Sequence, residues 1–319
     1  MSLLPVASVL YSESILSLYP ILVKRVPTTL FTQWLARFLT FPLLAWLLGP
    51  ASEGKAIWTD PYEATVATIN GVLQLLHVGV SYLSFRLLPA GTAISLFYMY
   101  PFFNVLAGAL FFGEPITLIT VVLLGIAFYG VYLIARSEPV IEPVTESKAG
   151  AEPKGDTEPK AGEPKAGPEP FRPSDPSSTY RWGVVMALLA AVTETVIFVF
   201  VRWNKMAQHS PFYTIQHLYP SGLVFLLLYA FSQPEKVDTS PMNWLYLLGF
   251  NAVLGFTGYL ARFYAIPKLP TIVYSLLSLM GVSTGYVWGR WFANEIPSST
   301  SLWGSLWIVL SVFLLRYLS

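Results

Sequence analysis

Two acidic residues stand deep inside long apolar stretches, each between hydroxyls: Glu13 in Ser12-Glu13-Ser14 and Glu194 in Thr193-Glu194-Thr195. A carboxylate at mid-membrane depth costs about 2.5 to 3.5 kcal/mol or more unless it meets a cation, a watery cavity or a proton. The chemistry open to such a group is therefore cation binding or reversible protonation, or else pairing with an arginine or capping of a kinked backbone. A second constellation is Asn70, Gln74, His77 and Ser81 at i, i+4, i+7 and i+11, which puts four polar side chains on one helical face. A helix facing lipid has no use for such a stripe, so it reads as a cavity wall or as a ladder of interhelical hydrogen bonds. Gln33 and Arg37, one turn apart, add a cation suited to a carboxylate or phosphate, or to neutralising Glu13. Gln216 and His217 occupy a related place later in the chain, with Pro220 where a matching arginine is expected. The two histidines, His77 and His217, read first as satisfied hydrogen-bonding groups rather than proton relays. Tyr98, Phe97 and Trp34 supply apolar walls.

The elements that must hold these residues are membrane helices. Of 319 residues 54% are hydrophobic and 12% charged, and 14 of the 37 charges fall within residues 138–178. That is about half the charged share of a soluble domain. With a net charge of +1 and no basic cluster, nucleic acid is not an expected partner, and the absence of cysteine removes disulfides and thiol chemistry. No metal-ligand cluster, phosphate loop or nucleophile elbow occurs, so neither metal nor cofactor is expected. Ten stretches are long and apolar enough to cross about 30 Å of hydrocarbon as helix: 4–24, 30–49, 64–86, 90–112, 116–135, 181–203, 212–232, 243–265, 271–293 and 300–318. The first lacks a basic leader, so a cleavable signal is not expected. Continuous apolarity without period-two alternation predicts helices rather than barrel strands. The fold class is thus all-α, a membrane protein with ten transmembrane helices. Residues 138–178, with nine prolines and repeated Glu-Pro-Lys units, read as a disordered tether.

Sliding the second half over the first by 181 residues aligns Ser12-Glu13-Ser14 with Thr193-Glu194-Thr195, Asn70-Gly71-Val72-Leu73 with Asn251-Ala252-Val253-Leu254, Pro89 with Pro270, Gly108 with Gly289, and Glu114 with Glu295. Asn251, Gly255, Gly258 and Arg262 then face the stripe of the other half as a groove ending in an arginine. The domains are residues 1–137 and 179–319, each of five spans, and an odd number of spans inverts the second relative to the first. Glu114 and Glu295, each just before a helix, read as N-terminal caps. Gly281, Gly285 and Gly289 read as a close-packing seam.

The run Leu88-Pro89-Ala90-Gly91-Thr92-Ala93 through Tyr100-Pro101-Phe102 to Phe112-Gly113-Glu114-Pro115-Ile116-Thr117 resembles the fourth-helix region of EamA-type members of the drug/metabolite transporter superfamily. Leu269-Pro270 to Asn294-Glu295-Ile296-Pro297 resembles the same region in the second half. The resemblance implies two inverted five-helix repeats, cytosolic termini, and export or exchange of a small metabolite through a plasma or organelle membrane. The leading expectation is a secondary transporter of small amphiphilic metabolites, amino acids or related amines, by proton antiport. In it a proton and a substrate amine compete for Glu13 or Glu194, and Arg37 and Arg262 receive the anionic end. The alternatives are an organophosphate or nucleotide-sugar exchanger, a membrane-embedded lipid-handling enzyme, and a receptor that uses the tether as a docking arm. Five interfacial cations on one face against seven on the other hardly select an orientation.

Overall fold

Proline placement decides how the apolar stretches fold. Three Tyr-Pro pairs, Tyr19-Pro20, Tyr100-Pro101 and Tyr219-Pro220, lie inside spans, where the missing N–H frees a carbonyl one turn back and the ring blocks a straight helix. In the computed structural model, which describes residues 3–88, 90–136, 176–293 and 298–314, each pair starts a new helix. The first half comprises α1 (Leu3–Leu16), α2 (Tyr19–Arg25), α3 (Leu30–Leu48), α4 (Ala51–Thr59), α5 (Pro61–Leu87), α6 (Ala90–Phe97), α7 (Tyr100–Phe112) and α8 (Leu118–Arg136). The second comprises α9 (Pro176–Arg202), α10 (Pro211–Leu218), α11 (Pro220–Ser232), α12 (Pro241–Phe250), a π-helical turn at Asn251–Gly255, α13 (Phe256–Ala265), α14 (Thr271–Ser278), α15 (Met280–Ala293) and α16 (Ser299–Leu314).

Eight helical stretches are long and apolar enough to span a bilayer, and two shorter apolar helices, Leu118–Leu133 and Leu302–Leu314, complete ten. The 181-residue offset persists in the helix boundaries: α3, α6 and α8 start at 30, 90 and 118, and α10, α14 and α16 start at 211, 271 and 299. The break between α6 and α7 recurs between α14 and α15, whereas those after α1 and α10 have no counterpart. The tether expected at 138–178 lies outside the described residues except for Pro176–Ser178, which open α9 because proline suits the first helical turn.

The two halves interleave. α1 packs along α13, α5 along α9, α7 along α14, and α8 along α16. Small residues permit the close crossings: a Cβ on Gly71 would fall 1.8 Å from Ser221 Oγ, and one on Gly130 would fall 2.5 Å from the Gly304 carbonyl. The groove expected along Gly255 and Gly258 is filled by the α1–α2 corner, with Tyr19 Oη 2.2 Å from a Gly255 Cβ and Leu16 3.0 Å from a Gly258 Cβ. The seam also holds as far as its first two members: Gly281 makes room for Tyr98 and Gly285 for Ile94.

Candidate functional site

α1 and α9 are the equivalent first spans of the two halves, and they bring Glu13 and Glu194 to one arginine. Arg262, on α13, donates from Nε and Nη2 to Glu13 Oε1 at 3.2 and 2.8 Å, and from Nη1 to Glu194 Oε1 at 2.5 Å. Its Nη2 also reaches Tyr100 Oη at 3.1 Å, the tyrosine of a broken span. Tyr98 Oη donates to Glu13 Oε2 at 2.8 Å, so both oxygens of Glu13 are occupied. All these groups are buried. One guanidinium thus faces two carboxylates, leaving a formal charge of −1 that His77 can cancel.

His77 Nε2 lies 3.1 Å from Glu194 Oε2, and His77 Nδ1 lies 3.0 Å from Thr193 Oγ1. The Thr193 hydroxyl is also within 2.9 and 3.0 Å of the Leu189 and Ala190 carbonyls. Two hydrogen placements therefore satisfy every group. With a neutral ring, Thr193 donates to Nδ1 and Nε2–H donates to Glu194. With a charged ring, Nδ1–H donates to Thr193, whose hydroxyl turns to its own helix carbonyls. The geometry accommodates either protonation state of His77 with the rotation of one hydroxyl.

Arg37, on α3, is equally buried and has a different environment. Its guanidinium carbon lies 4.5 Å from the Tyr259 ring centre and 4.9 Å from that of Tyr19, with Phe41, Tyr219 and Tyr82 completing an aromatic box. Its Nη2 donates to Tyr219 Oη at 3.0 Å, an oxygen that also accepts from Gln74 Nε2 at 3.0 Å. Among the described residues Arg37 has no carboxylate partner, and its Nε has no hydrogen bond. A cavity connects Arg37 with Arg262 and His77, walled by Ser81, Tyr82, Phe85, Ile94, Phe97 and Tyr98. Its free volume is about 30 Å³, room for one or two waters in this conformation. Its lining from Tyr19 to Pro20 and Ser81 to Phe85 lies toward the end of α5 that leads away from the N-terminus, the linker side.

The N-terminal side is held together by polar contacts between the halves. Glu114 pairs with Arg202 and accepts the Thr271 N–H at 2.9 Å. Glu53 accepts from the Ser210 N–H at 3.1 Å and from its hydroxyl. Glu63 accepts from Tyr213 Oη at 3.1 Å and lies 3.5 Å from His217 Nε2. Glu114 does cap a helix, but it caps α14 of the other half rather than the helix following it in sequence. Its chain-neighbour α8 starts only at Leu118, after an extended stretch.

A family model described as the EamA-like transporter family matches residues 3–136 and 181–317, one half each. The chain belongs to the EamA-like transporter family. This EamA-like protein is accordingly a multi-pass integral membrane transporter, with the bilayer and a small-molecule substrate as its partners. A solved structure described only as "Crystal structure of protein" superimposes with a TM-score of 0.64 at 16% identity, covering 99% of this chain and 98% of its own, a likeness of fold. A comparison with curated proteins gives no significant match.

Of the residues singled out by sequence, Glu13, Glu194, Arg262, His77 and Tyr98 form one network, and Arg37 and Gln74 meet at Tyr219 beside it. Asn251 accepts from Tyr19 Oη at 2.8 Å and so fixes the α1–α2 corner at the π-helical turn. The others stand apart. Gln33 donates to the Val23 carbonyl at 3.2 Å, Gln216 to the Ala45 carbonyl at 2.9 Å, and Asn70 meets His217 at 3.1 Å near the N-terminal side. Trp34 packs on Gly79 outside the cavity. Glu63 and the tyrosines escape sequence reading. Glu63 resembles an ordinary first-turn acid after the Asp60 cap, but the mid-span Tyr-Pro pairs were a usable signal, since Tyr19, Tyr100 and Tyr219 all reach the site.

Proposed function

We propose that this EamA-like transporter is a proton-coupled secondary carrier of small amphiphilic metabolites, amino acids or related amines, working by alternating access between its two inverted halves. The observation that carries the reading is the bridge at the centre. The two equivalent carboxylates share Arg262, and the charge balance of that bridge turns on a proton at the His77–Glu194–Thr193 contact. Groups from four helices meet there: Glu13 from α1, His77 from α5, Glu194 from α9 and Arg262 from α13. In the present arrangement no carboxylate oxygen of Glu13 is free for a substrate amine, so an amine binds only after Arg262 shifts. Protonation supplies or withdraws the charge that permits the shift, which links proton and substrate. The carrier has its polar contacts closed on the N-terminal side and its cavity toward the linker side. With cytosolic termini that cavity faces away from the cytosol.

Purified protein in liposomes with an imposed pH gradient tests the coupling. Substrate flux driven by the gradient in the wild type should lose its pH dependence in Glu194→Gln and His77→Gln, and weaken in Glu13→Gln. Unchanged pH-dependent flux in these variants refutes the role. A second reading, exchange of an organophosphate, is favoured by Arg37 having no carboxylate partner; flux that is indifferent to the pH gradient but requires a counter-substrate selects it.

A further inference from the structure

Among the described residues no anion stands beside Arg37, a permanent cation at 3% exposure, which is the costliest way to bury a guanidinium. The aromatic faces around it offset part of that cost, about 0.5 to 2 kcal/mol for each well-placed contact. They leave its Nε–H without an acceptor. On the same cavity wall the Tyr82 hydroxyl, beside this guanidinium, is buried and makes no well-formed hydrogen bond. Arg262 differs in kind, because that arginine is consumed by two carboxylates while Arg37 has only tyrosine oxygens. The two guanidinium carbons flank one ring, at 4.5 and 5.6 Å from the centre of Tyr259, so they lie at most about 10 Å apart. A purely cationic ligand in this cavity meets two arginines. An anion admitted once this cavity widens beyond its present one or two waters finds an unneutralised charge and two unbonded donors buried in the wall, with Phe85, Phe97 and Ile94 to cover its apolar part.

We infer that Arg37, with Tyr82, is the receptor for the acidic group of the substrate, and that the substrate class is an organic anion or zwitterion bearing a carboxylate or phosphate on an apolar body. The inference rests on the transporter reading for the word substrate, but the site itself is read without flux. Planar bidentate recognition by guanidinium suits a carboxylate or phosphate edge, and water exclusion by the aromatic box strengthens the charge-assisted bonds.

The test is equilibrium binding to the full-length protein in detergent, by calorimetry or tryptophan quenching, with phenylacetate, phenyl phosphate, neutral phenylacetamide and cationic phenethylamine as probes. One or both acids should bind, the amide should not, and the amine should bind more weakly than the acids. Preference between the acids tells carboxylate from phosphate. Arg37→Gln should weaken acid binding by about tenfold to a hundredfold, the range for loss of a charged hydrogen bond. Arg37→Lys should retain part of the affinity, and Tyr82→Phe should weaken it several-fold. If Arg37→Gln does not fold, the Tyr82→Phe and Arg37→Lys variants and the acid–amide comparison still decide. Equal binding of acid and amide, stronger binding of the amine, absence of acid binding to the folded wild type, or undiminished binding in a folded Arg37→Gln overturns the inference. Acid binding without any flux in liposomes leaves this site standing and refutes the carrier, whereas flux without acid binding does the reverse.

Discussion

Replacing Arg262 by Gln removes the fixed cation that two buried carboxylates share, and the geometry ranks the consequences. Glu13 Oε1 is held by two bonds from Arg262, while Tyr98 holds Oε2. Glu194 loses one bond from Arg262 but keeps His77 at 3.1 Å. Breaking a buried pair by removing one partner costs about 3 to 5 kcal/mol, because the other charge is left uncompensated. Arg262→Gln should therefore destabilise the protein by about that amount near neutral pH. The second substitution identifies which carboxylate is responsible. Glu13→Gln on the Arg262→Gln background should recover most of the loss. Glu194→Gln should recover less, since that carboxylate retains an imidazole. Thermal denaturation of the purified transporter in detergent, followed by monodispersity or intrinsic fluorescence, reads all four proteins under one condition. Near-wild-type stability of Arg262→Gln, or better rescue by Glu194→Gln than by Glu13→Gln, would refute the assignment of charges at the bridge.

Three other sets of contacts carry outcomes of their own. Gly281→Ala places a Cβ 1.9 Å from Tyr98 Oη, so it should cost about 1 to 3 kcal/mol of stability as an overpacked contact and lower flux by dislodging Tyr98 from Glu13; full activity would show that this bond is dispensable. Because the chain has no cysteine, Ser81→Cys on the cavity wall gives a clean label: an impermeant maleimide should react faster from the linker side, and Glu63→Gln with Glu114→Gln should raise reaction from the N-terminal side. Asp238, in the loop joining α11 to α12, is pushed up by partial burial but held below the usual carboxylate range by the Ser240 N–H and by Thr28 and Asn243. Its stabilisation is present above the unfolded value of about 3.9 and lost as pH falls through the lower folded value, so the protection of amides in 233–240, corrected for the intrinsic pH dependence of exchange, should stay flat from pH 5 to 8 and fall in Asp238→Asn.

Fold and repeat were legible because both are written in hydrophobicity and in a constant offset. Ten apolar runs and one 181-residue register carry over to helix boundaries within a few residues. The two central carboxylates were legible for a related reason, since an ionisable residue in an apolar run has few innocent explanations. Arg262 was singled out as well, but its part in joining them was not legible. Arg262 sits at the far end of the glycine groove, and only packing of α13 against α1 shows that it serves Glu13 and Glu194 together. The histidines read as isolated polar residues because their carboxylate partners, Glu194 and Glu63, are 117 and 154 positions away. For Tyr219 beside Arg37 the Tyr-Pro pair was the one signal, because Pro220, four residues after Gln216, breaks the match with Gln33 and Arg37 at the point where the tyrosine stands.

Repetition of one five-span unit in two orientations would by itself give a carrier two equivalent end states, each half taking the other's role. The sequence differences between the halves remove that equivalence at the N-terminal side as well as at the centre, where Arg262 matches Ser81 and Arg37 matches Leu218. On the N-terminal side Glu53, Glu63 and Arg202 make contacts between the halves, while the positions 181 residues away are Pro234, Trp244 and Ile21. The linker side is tied mainly by neutral groups, Thr29 donating to the Lys236 carbonyl at 2.7 Å and Asn243 to the Pro27 carbonyl at 3.1 Å, with the acid Asp238 also accepting across the halves, from Thr28. Ser210 and Thr29 cap equivalent helices, α10 and α3, but only Ser210 also meets a carboxylate. Such contacts each add little, about 0 to 1 kcal/mol for an exposed pair, but the acids Glu53 and Glu63 face Pro234 and Trp244 at the matched positions, which biases the protein toward closure on this face. A two-state carrier with that bias rests with its N-terminal side closed and its cavity toward the linker. In the proposed mechanism substrate and proton act at the central bridge, where the two halves present glutamate at the same position, Glu13 and Glu194.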